Sequence, residues 1–300
     1  MTGSRCAPLA RLCPYLDEVL SVDRLALRDG PILQAFRDIL RIVRDVRAKS
    51  FDLVVDFHSF RETNLLSWAS GARYRMGMKR SDRAYLPFCF NLPPALEDKD
   101  IHVAEMFERV VAKLPGTVAT TLAGPPLLKI PSDISSRFVG FFGKATVKVV
   151  LYVGASVIDR RWPSASFAAV ADHVMADWGA AVLILCGSSE AEGKIAKETW
   201  QLVRDRESVQ IMTGLSIAEL AGAIAFADLM ISNDTGPMHI GSAMGVPTLG
   251  IFSQSLPLHY RPLGSSDRYI RKNSVEDVEI YEVIKVAEQM RATAGPDRRP

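Results

Sequence analysis

In the second half of the chain, apolar residues fall into short runs separated by stretches where they recur every three or four positions. Residues 148–153 (KVVLYV), 181–186 (AVLILC), 208–212, 229–232 and 246–252 have the length and composition of strands. Between the first two, residues 164–178 place Phe167, Val170, Ala171, Val174 and Trp178 on one helical face, and Gly179 follows as a stop. Residues 190–203 predict a polar-faced helix. Ser216 and Glu219 form an S-x-x-E capping box that opens a helix to residue 227. Pro237 suits the first turn of a helix that ends at Gly245. Strands alternating with helices of this length predict a parallel, doubly wound sheet.

The first half is less regular. Residues 31–49 predict a basic amphipathic helix with Ile32, Phe36, Ile39, Leu40 and Val43 as its apolar side. A strand is expected over 51–57, and helices over 63–69 and 103–114. Residues 115–134 carry four prolines and little periodicity, and are taken as an interdomain segment. Residues 276–292 predict a last helix, followed by a polar tail over 293–300. A doubly wound domain opens with a strand, a tight turn and a helix. Here the first strand candidate is the short stretch 18–22, so the N-terminal domain reads as if it begins in its middle.

Composition narrows the class. A chain of 300 residues accommodates one large or two medium domains. With 48% hydrophobic and 23% charged residues it is ordinary globular material, not a disordered or fibrous one. Lys+Arg 36 against Asp+Glu 34 leaves a net charge of +2, too little to draw the whole molecule onto nucleic acid. Cys6, Cys13, Cys89 and Cys186 include no C-x-x-C pair and read as free thiols of a reducing compartment. No apolar run approaches the ~18–20 residues of a membrane span, and the N-terminus lacks a signal-peptide core. A cytoplasmic α/β protein is expected.

Four strand-to-helix junctions carry candidate chemistry. The first is residues 154–163 (GASVIDRRWP), where Gly154 permits close backbone approach, Ser156 offers a hydroxyl, and Arg160 and Arg161 offer forked cationic donors suited to phosphate. The alternative is a solvated loop with Trp162 packed beneath it. The second is residues 232–239 (SNDTGPMH), a strand end and helix start whose free N–H groups can hold an anion. There Asp234 either caps the helix or reaches sugar hydroxyls, and His239 either faces the same crevice or is a buried, hydrogen-bonded histidine. Taken together, the two loops suggest a phosphate-sugar site. At the third, Glu190 after Gly187-Ser188-Ser189 either accepts from a ribose or is a solvated first-turn carboxylate. The fourth, residues 56–61 (DFHSFR), offers Asp56, His58 and Arg61 as acceptor-side candidates or as a capped strand-end turn. A basic run, Arg73, Arg75, Lys79, Arg80 and Arg83, is opposed in sequence only by Asp82. It suits a phosphorylated acceptor, an acidic membrane surface or plain solvent. There is no G-x-G-x-x-G, H-E-x-x-H, paired Cys/His spacing or G-x-S-x-G.

At these residues the chain resembles glycosyltransferase family 9, the ADP-heptose:lipopolysaccharide heptosyltransferases. The likeness runs through residues 52–77, 102–109, 154–167 (GASVIDRRWPSASF), 213–220 and 232–252 (SNDTGPMHIGSAMGVPTLGIF). It implies an α/β fold of two Rossmann-like domains facing a cleft, the GT-B arrangement. Residues 1–140 would be a partial, acceptor-side N-terminal domain and residues 141–275 the nucleotide-sugar domain, with 276–292 a C-terminal helix and 293–300 a tail. Carried over by position, Ser156 and Arg160 stand at the diphosphate loop, where the family often has Lys in place of Arg160. Asp234, Thr235, Gly236 and His239 match the donor-binding turn, and Glu190 lies within a residue or two of the nucleoside-binding Glu. Ser253-Gln254-Ser255 departs from the family's usual Gly-Pro-Thr.

The resemblance implies metal-independent, inverting transfer of heptose or a related sugar from an ADP-sugar to lipopolysaccharide core or another bacterial surface glycan. The nucleotide-sugar is substrate, and no cofactor or metal is called for. The expected location is the cytoplasm, with peripheral association at the inner face of the inner membrane, and no nucleic-acid partner. Residues 4–23 match the family segment after its second strand, so roughly 45 residues, a little over one βαβ unit, are missing from the pattern. The general-base Asp of the family is accordingly expected upstream of Met1. The competing expectation is a catalytically inactive nucleotide-sugar-binding protein that lacks this Asp loop.

Overall fold

The computed structural model describes residues 1–114, 128–138, 140–142 and 145–293. The chain divides into two compact units: Met1–Leu20 with Ala123–Pro300, and Ser21–Leu122. This differs from the expected boundary near residue 140. The described part of the expected interdomain segment belongs to the larger unit, where Leu128, Ile130 and Ile134 pack against its core. Residues 115–127 lie outside the described residues. At the other end of the chain, Leu12 is buried against Phe138 and Leu220, and its carbonyl accepts from Lys129 N at 2.8 Å. Met1–Leu20 therefore joins the larger unit through apolar burial.

In the smaller unit, three parallel strands, β1 (Leu53–Asp56), β2 (Tyr74–Lys79) and β3 (Ala95–Leu96), lie in the order β1-β2-β3. Met76, Met78, Met106 and Val110 form its core. The expected strand at 18–22 shrinks to Ser21–Val22. Strand β2 is an addition to the sequence reading, which took its Arg75 and Lys79 only as charge. Its middle residues Met76, Gly77 and Met78 are buried, and the Phe90 ring lies where a side chain at Gly77 would project. The basic run is thus dispersed. Arg75 donates to the Cys89 and Ala72 carbonyls, and Arg80 pairs with Glu97 at 3.0 Å. Asp82 is not its sole acidic counterpart.

In the larger unit, six parallel strands are β4 (Lys148–Tyr152), β5 (Ala181–Leu185), β6 (Val209–Met212), β7 (Leu229–Asn233), β8 (Thr248–Phe252) and β9 (Arg268–Arg271). Their spatial order is β6-β5-β4-β7-β8-β9. Numbered within the sheet this is 3-2-1-4-5-6, the nucleotide-binding order, with its reversal between β4 and β7. Alternate residues serve two cores: Val149 and Leu151 on one face, Val150 and Tyr152 on the other. Burial on both faces explains why these strands read as unbroken apolar runs. Helix Ser164–Trp178 matches expectation residue for residue, and Gly179 ends it at φ 61°, a left-handed conformation that glycine adopts without strain. The Ser216–Glu219 capping box is present at helix Ile217–Ala225. The last helix is Ile280–Thr293, and the remainder of the expected tail lies outside the described residues.

Candidate active site

In an open parallel sheet, ligands bind beyond the carboxyl ends of the strands, where the strand order reverses. Here that point lies between the loops that follow β4 and β7, the two loops singled out from the sequence. Asn233, fully buried at the end of β7, ties them together. Its Nδ2 donates to the Val153 carbonyl at 2.9 Å, and its Oδ1 accepts from Trp162 N at 3.0 Å. Trp162 is buried edge-on against Phe167, and its indole N–H donates to the Val278 carbonyl at 2.9 Å. The expected packing of Trp162 is observed, and residues 156–159 of the loop it anchors are exposed.

Residues Ile158–Arg160 form one 3₁₀ turn. It brings the Arg160 guanidinium to 3.1 Å from the Asp234 carboxylate, while Arg161 folds back onto the Ala155 carbonyl at 2.7 Å. Arg160 is therefore the cation presented at the switch point. Asp234 is buried and also accepts from the Ser255 hydroxyl. Of the two roles open to Asp234, capping is not the one observed. Thr235 occupies the N-cap position of helix Gly236–Ala243 and makes no side-chain cap bond, its hydroxyl donating instead to the Asn233 carbonyl at 3.3 Å. Nothing lies within 4 Å of where a side chain on Gly236 would project. The helix start is thus open beside a cation, a combination suited to a diphosphate. Ser156 is exposed in the same loop.

His239 stands in the first turn of that helix, at the surface rather than as a buried, bonded histidine. Desolvation of its ring pulls its pKa below the ordinary histidine value, and the Asp234 and Asp267 charges oppose this.

At the third junction the structure shows the solvated alternative for Glu190. Glu190 projects into solvent and pairs with Lys194 at 2.8 Å. The carboxylate at the strand ends belongs to Glu192. It occupies the space where side chains on Gly154 and Gly187 would project, 2.5 Å from the ideal Cβ position at Gly154. It also accepts from the Ser189 hydroxyl at 3.0 Å. The two glycines thus make room for a carboxylate. Beyond it, at the ends of β5 and β6, a cavity of about 540 Å³ is lined by Gly187, Glu190, Lys194, Lys197, Trp200 and Gly214, among others. Sequence reasoning missed Glu192, Asn233 and Ser255. Glu192 was within the stated register of a residue or two, and the other two stand in quoted motifs. Nearby, burial pushes the Cys186 thiol up to about 11, and all four cysteines are free.

In the smaller unit, Asp56 ends β1 with its carboxylate fully engaged. It accepts from His58 N (2.9 Å), Ser59 N (3.0 Å), Thr63 Oγ1 (2.7 Å) and Asn64 Nδ2 (2.8 Å). This is the capped-turn alternative, and it holds Ser59 at φ 57°. The loop presents His58, which stacks on Phe60. Arg83 and Arg24 lie over that phenyl ring at 4.1 and 4.9 Å. Desolvation draws the His58 pKa down, opposed by Asp56 and reinforced by Arg24, Arg80 and Arg83. Arg61 is exposed at the start of helix Arg61–Ala69.

Strand order and switch-point loops define a doubly wound α/β protein of the nucleotide-binding type. Residues 39–284 match the model of glycosyltransferase family 9 (heptosyltransferase), and the chain belongs to that family of enzymes. A putative glycosyltransferase of Haemophilus influenzae is 24% identical over 280 residues, 90% of this chain and 78% of the relative. Lipooligosaccharide heptosyltransferase 2 of Campylobacter jejuni is 30% identical over 95 residues, 31% of this chain and 29% of the relative. Among solved structures, Escherichia coli heptosyltransferase WaaC with ADP superimposes with a TM-score of 0.79 at 18% identity, covering 96% of this chain and 88% of the other. No helix among the described residues is long and apolar enough to cross a membrane.

Proposed function

We propose that this glycosyltransferase moves heptose from ADP-heptose to the core of lipopolysaccharide, inverting the anomeric carbon and using no metal. The observation that carries the reading is the Arg160–Asp234 pair beside the open start of helix Gly236–Ala243. Transfer builds positive charge on the sugar ring and negative charge on the departing diphosphate. A guanidinium and oriented N–H groups meet the second demand. Ser156, Thr235 and Gly236 would complete the diphosphate cradle. Asp234 would address the sugar side, and His239, in the first turn of the helix, the diphosphate. Glu192 would take the ribose diol, and the cavity beside it is of a size for the base. The ADP named with the Escherichia coli structure supports the choice of nucleotide.

In the step itself, an acceptor hydroxyl oxygen bonds to C1 of the donor sugar from the side opposite the diphosphate. The C1–O bond breaks, ADP leaves and the hydroxyl proton passes to a base. On the acceptor side, the His58 loop with Arg24 and Arg83 suits an anionic glycan, and a glycolipid acceptor places the enzyme peripherally at the inner face of the inner membrane. The test is ADP release from ADP-heptose with heptose-deficient lipopolysaccharide, with and without EDTA. Transfer with inverted product that survives EDTA supports the reading. ADP binding without release under any condition would instead indicate an inactive nucleotide-sugar binder.

A further inference from the structure

Strand β8 ends at Phe252, and Ser253-Gln254-Ser255 opens the loop that follows it. Ser253 is buried, Ser255 half-buried and Gln254 exposed. The Ser253 hydroxyl donates to the Asp159 carbonyl at 2.8 Å, and Asp159 is the middle residue of the 3₁₀ turn Ile158–Arg160. The Ser255 hydroxyl donates to Oδ2 of Asp234, the same oxygen that holds Arg160 Nη1 at 3.1 Å. The loop is itself fastened to the end of β9, where Arg271 Nε donates to the Ser253 carbonyl at 3.2 Å. Both serines thus converge on Arg160. Ser253 holds its backbone turn through Asp159, and Ser255 holds its guanidinium through Asp234.

Packing does little to hold that turn, since Val157 is 47% and Ile158 73% exposed. Its aim matters because of the residue it carries. A guanidinium offers its donors in one plane and meets a phosphate with two of them only when that plane is set, whereas an ammonium is a compact charge that serves any direction. The lysine frequent in the family at position 160 needs no such bracing, and the glycine usual there at position 253 has no hydroxyl to give it. This chain carries arginine at the first position and serine at the second. The Asp234 carboxylate and carbonyl engage only Nη1 of Arg160, which leaves Nε and Nη2 without a partner among the described residues. We infer that Ser253 and Ser255 are positioning residues that hold the Arg160 guanidinium in a set plane, and that the anion affinity of Arg160 depends on them. The inference rests on the donor-site reading above and deepens it.

The experiment is a mutant cycle read by calorimetry with ADP, together with amide hydrogen exchange of the ligand-free 300-residue chain. Ser253→Ala and Ser255→Ala should each weaken ADP binding about three- to tenfold, and Ser255→Thr, which keeps the hydroxyl, should bind as the wild type does. In an Arg160→Ala background the same two alanine substitutions should change ADP affinity by less than about twofold, because the group they orient is gone. Losses of equal size in both backgrounds would mark serines that only stabilise the unit, and overturn the inference. The Arg160 and Arg161 amides close the turn on the Val157 and Ile158 carbonyls at 3.2 and 2.8 Å. They should exchange faster in Ser253→Ala while the amides of β4 and β7 stay protected. Unchanged exchange of those two amides overturns the part given to Ser253. If Ser253→Ala does not fold, Ser255→Ala and its threonine rescue carry the cycle, and full ADP affinity in Ser255→Ala overturns the inference. A wild type that binds no ADP removes the donor-site reading, and the exchange rates alone then uphold or overturn the bracing of the turn.

Discussion

Arg160 and Asp234 are joined twice, through the carboxylate at 3.1 Å and through the Asp234 carbonyl at 3.4 Å. The two residues come from loops after neighbouring strands β4 and β7, 74 positions apart in the chain. The pair fixes the guanidinium at the switch point, and Arg160 remains half-exposed, with donors to spare for a ligand. Arg160→Ala should weaken ADP binding by about 1.5–3 kcal/mol, roughly 10- to 150-fold, as expected for one charge-assisted phosphate contact. Calorimetry with ADP measures it. Unchanged affinity would remove Arg160 from the diphosphate site.

Glu192 and Glu190 make different predictions. Glu192→Gln should cost ADP affinity about tenfold or more, the loss of a charged acceptor to a ribose hydroxyl. Glu190→Gln should change it less, because its carboxylate, although at the cavity lining, projects into solvent and pairs with Lys194. Repeating the titration with 2′,3′-dideoxy-ADP should erase the difference between wild type and Glu192→Gln. A persistent difference would mean that Glu192 acts on the loop and not on the ribose.

The contrast between those two glutamates shows where sequence pattern stops. Both stand in the first turn of helix Glu190–Leu202, and two positions turn a side chain by about 200°, so one reaches the strand ends while the other reaches water. Only the orientation of the helix on the sheet decides between them. The strands of the large sheet were legible because burial on both faces writes them as apolar runs. Strand β2 was not, because Arg75 and Lys79 mask the buried Met76-Gly77-Met78 segment. Edge strand β9 likewise has arginine at both ends. Arg160 and Asp234 were legible as separate candidates because each sits at a strand-to-helix junction with glycine nearby, but their pairing was not. The Asn233 staple was not, since a side-chain bond across 80 residues leaves no local trace.

Asn233→Ala should be among the more damaging substitutions in the larger unit. It removes the acceptor of Trp162 N and the donor to Val153 O, both buried. Leaving such groups unsatisfied costs about 1–3 kcal/mol each. Urea unfolding should show a lower midpoint, and ADP affinity should fall with it, because the same bonds set the spacing of the two loops. A midpoint within error of wild type would show that the loops are held by Trp162 packing alone.

Acidification gives the last test. The pKa values of His58 and His239 are both lowered in the folded chain, foremost by desolvation of the rings. Such a group takes up a proton more readily when unfolded, so between the ordinary histidine value near 6.5 and the lower folded value the unfolded state binds more protons. Stability therefore rises with pH through that window and is lost as pH falls through it. His239→Gln should flatten part of that slope in denaturant titrations between about pH 7 and pH 5, and His58→Gln another part. ADP binding should respond differently. Protonated His239 adds positive charge beside the helix start, so at the lower end of this range ADP should bind wild type relatively better than the His239→Gln variant, after allowance for protonation of ADP itself. The same pH dependence in both proteins would place His239 away from the diphosphate.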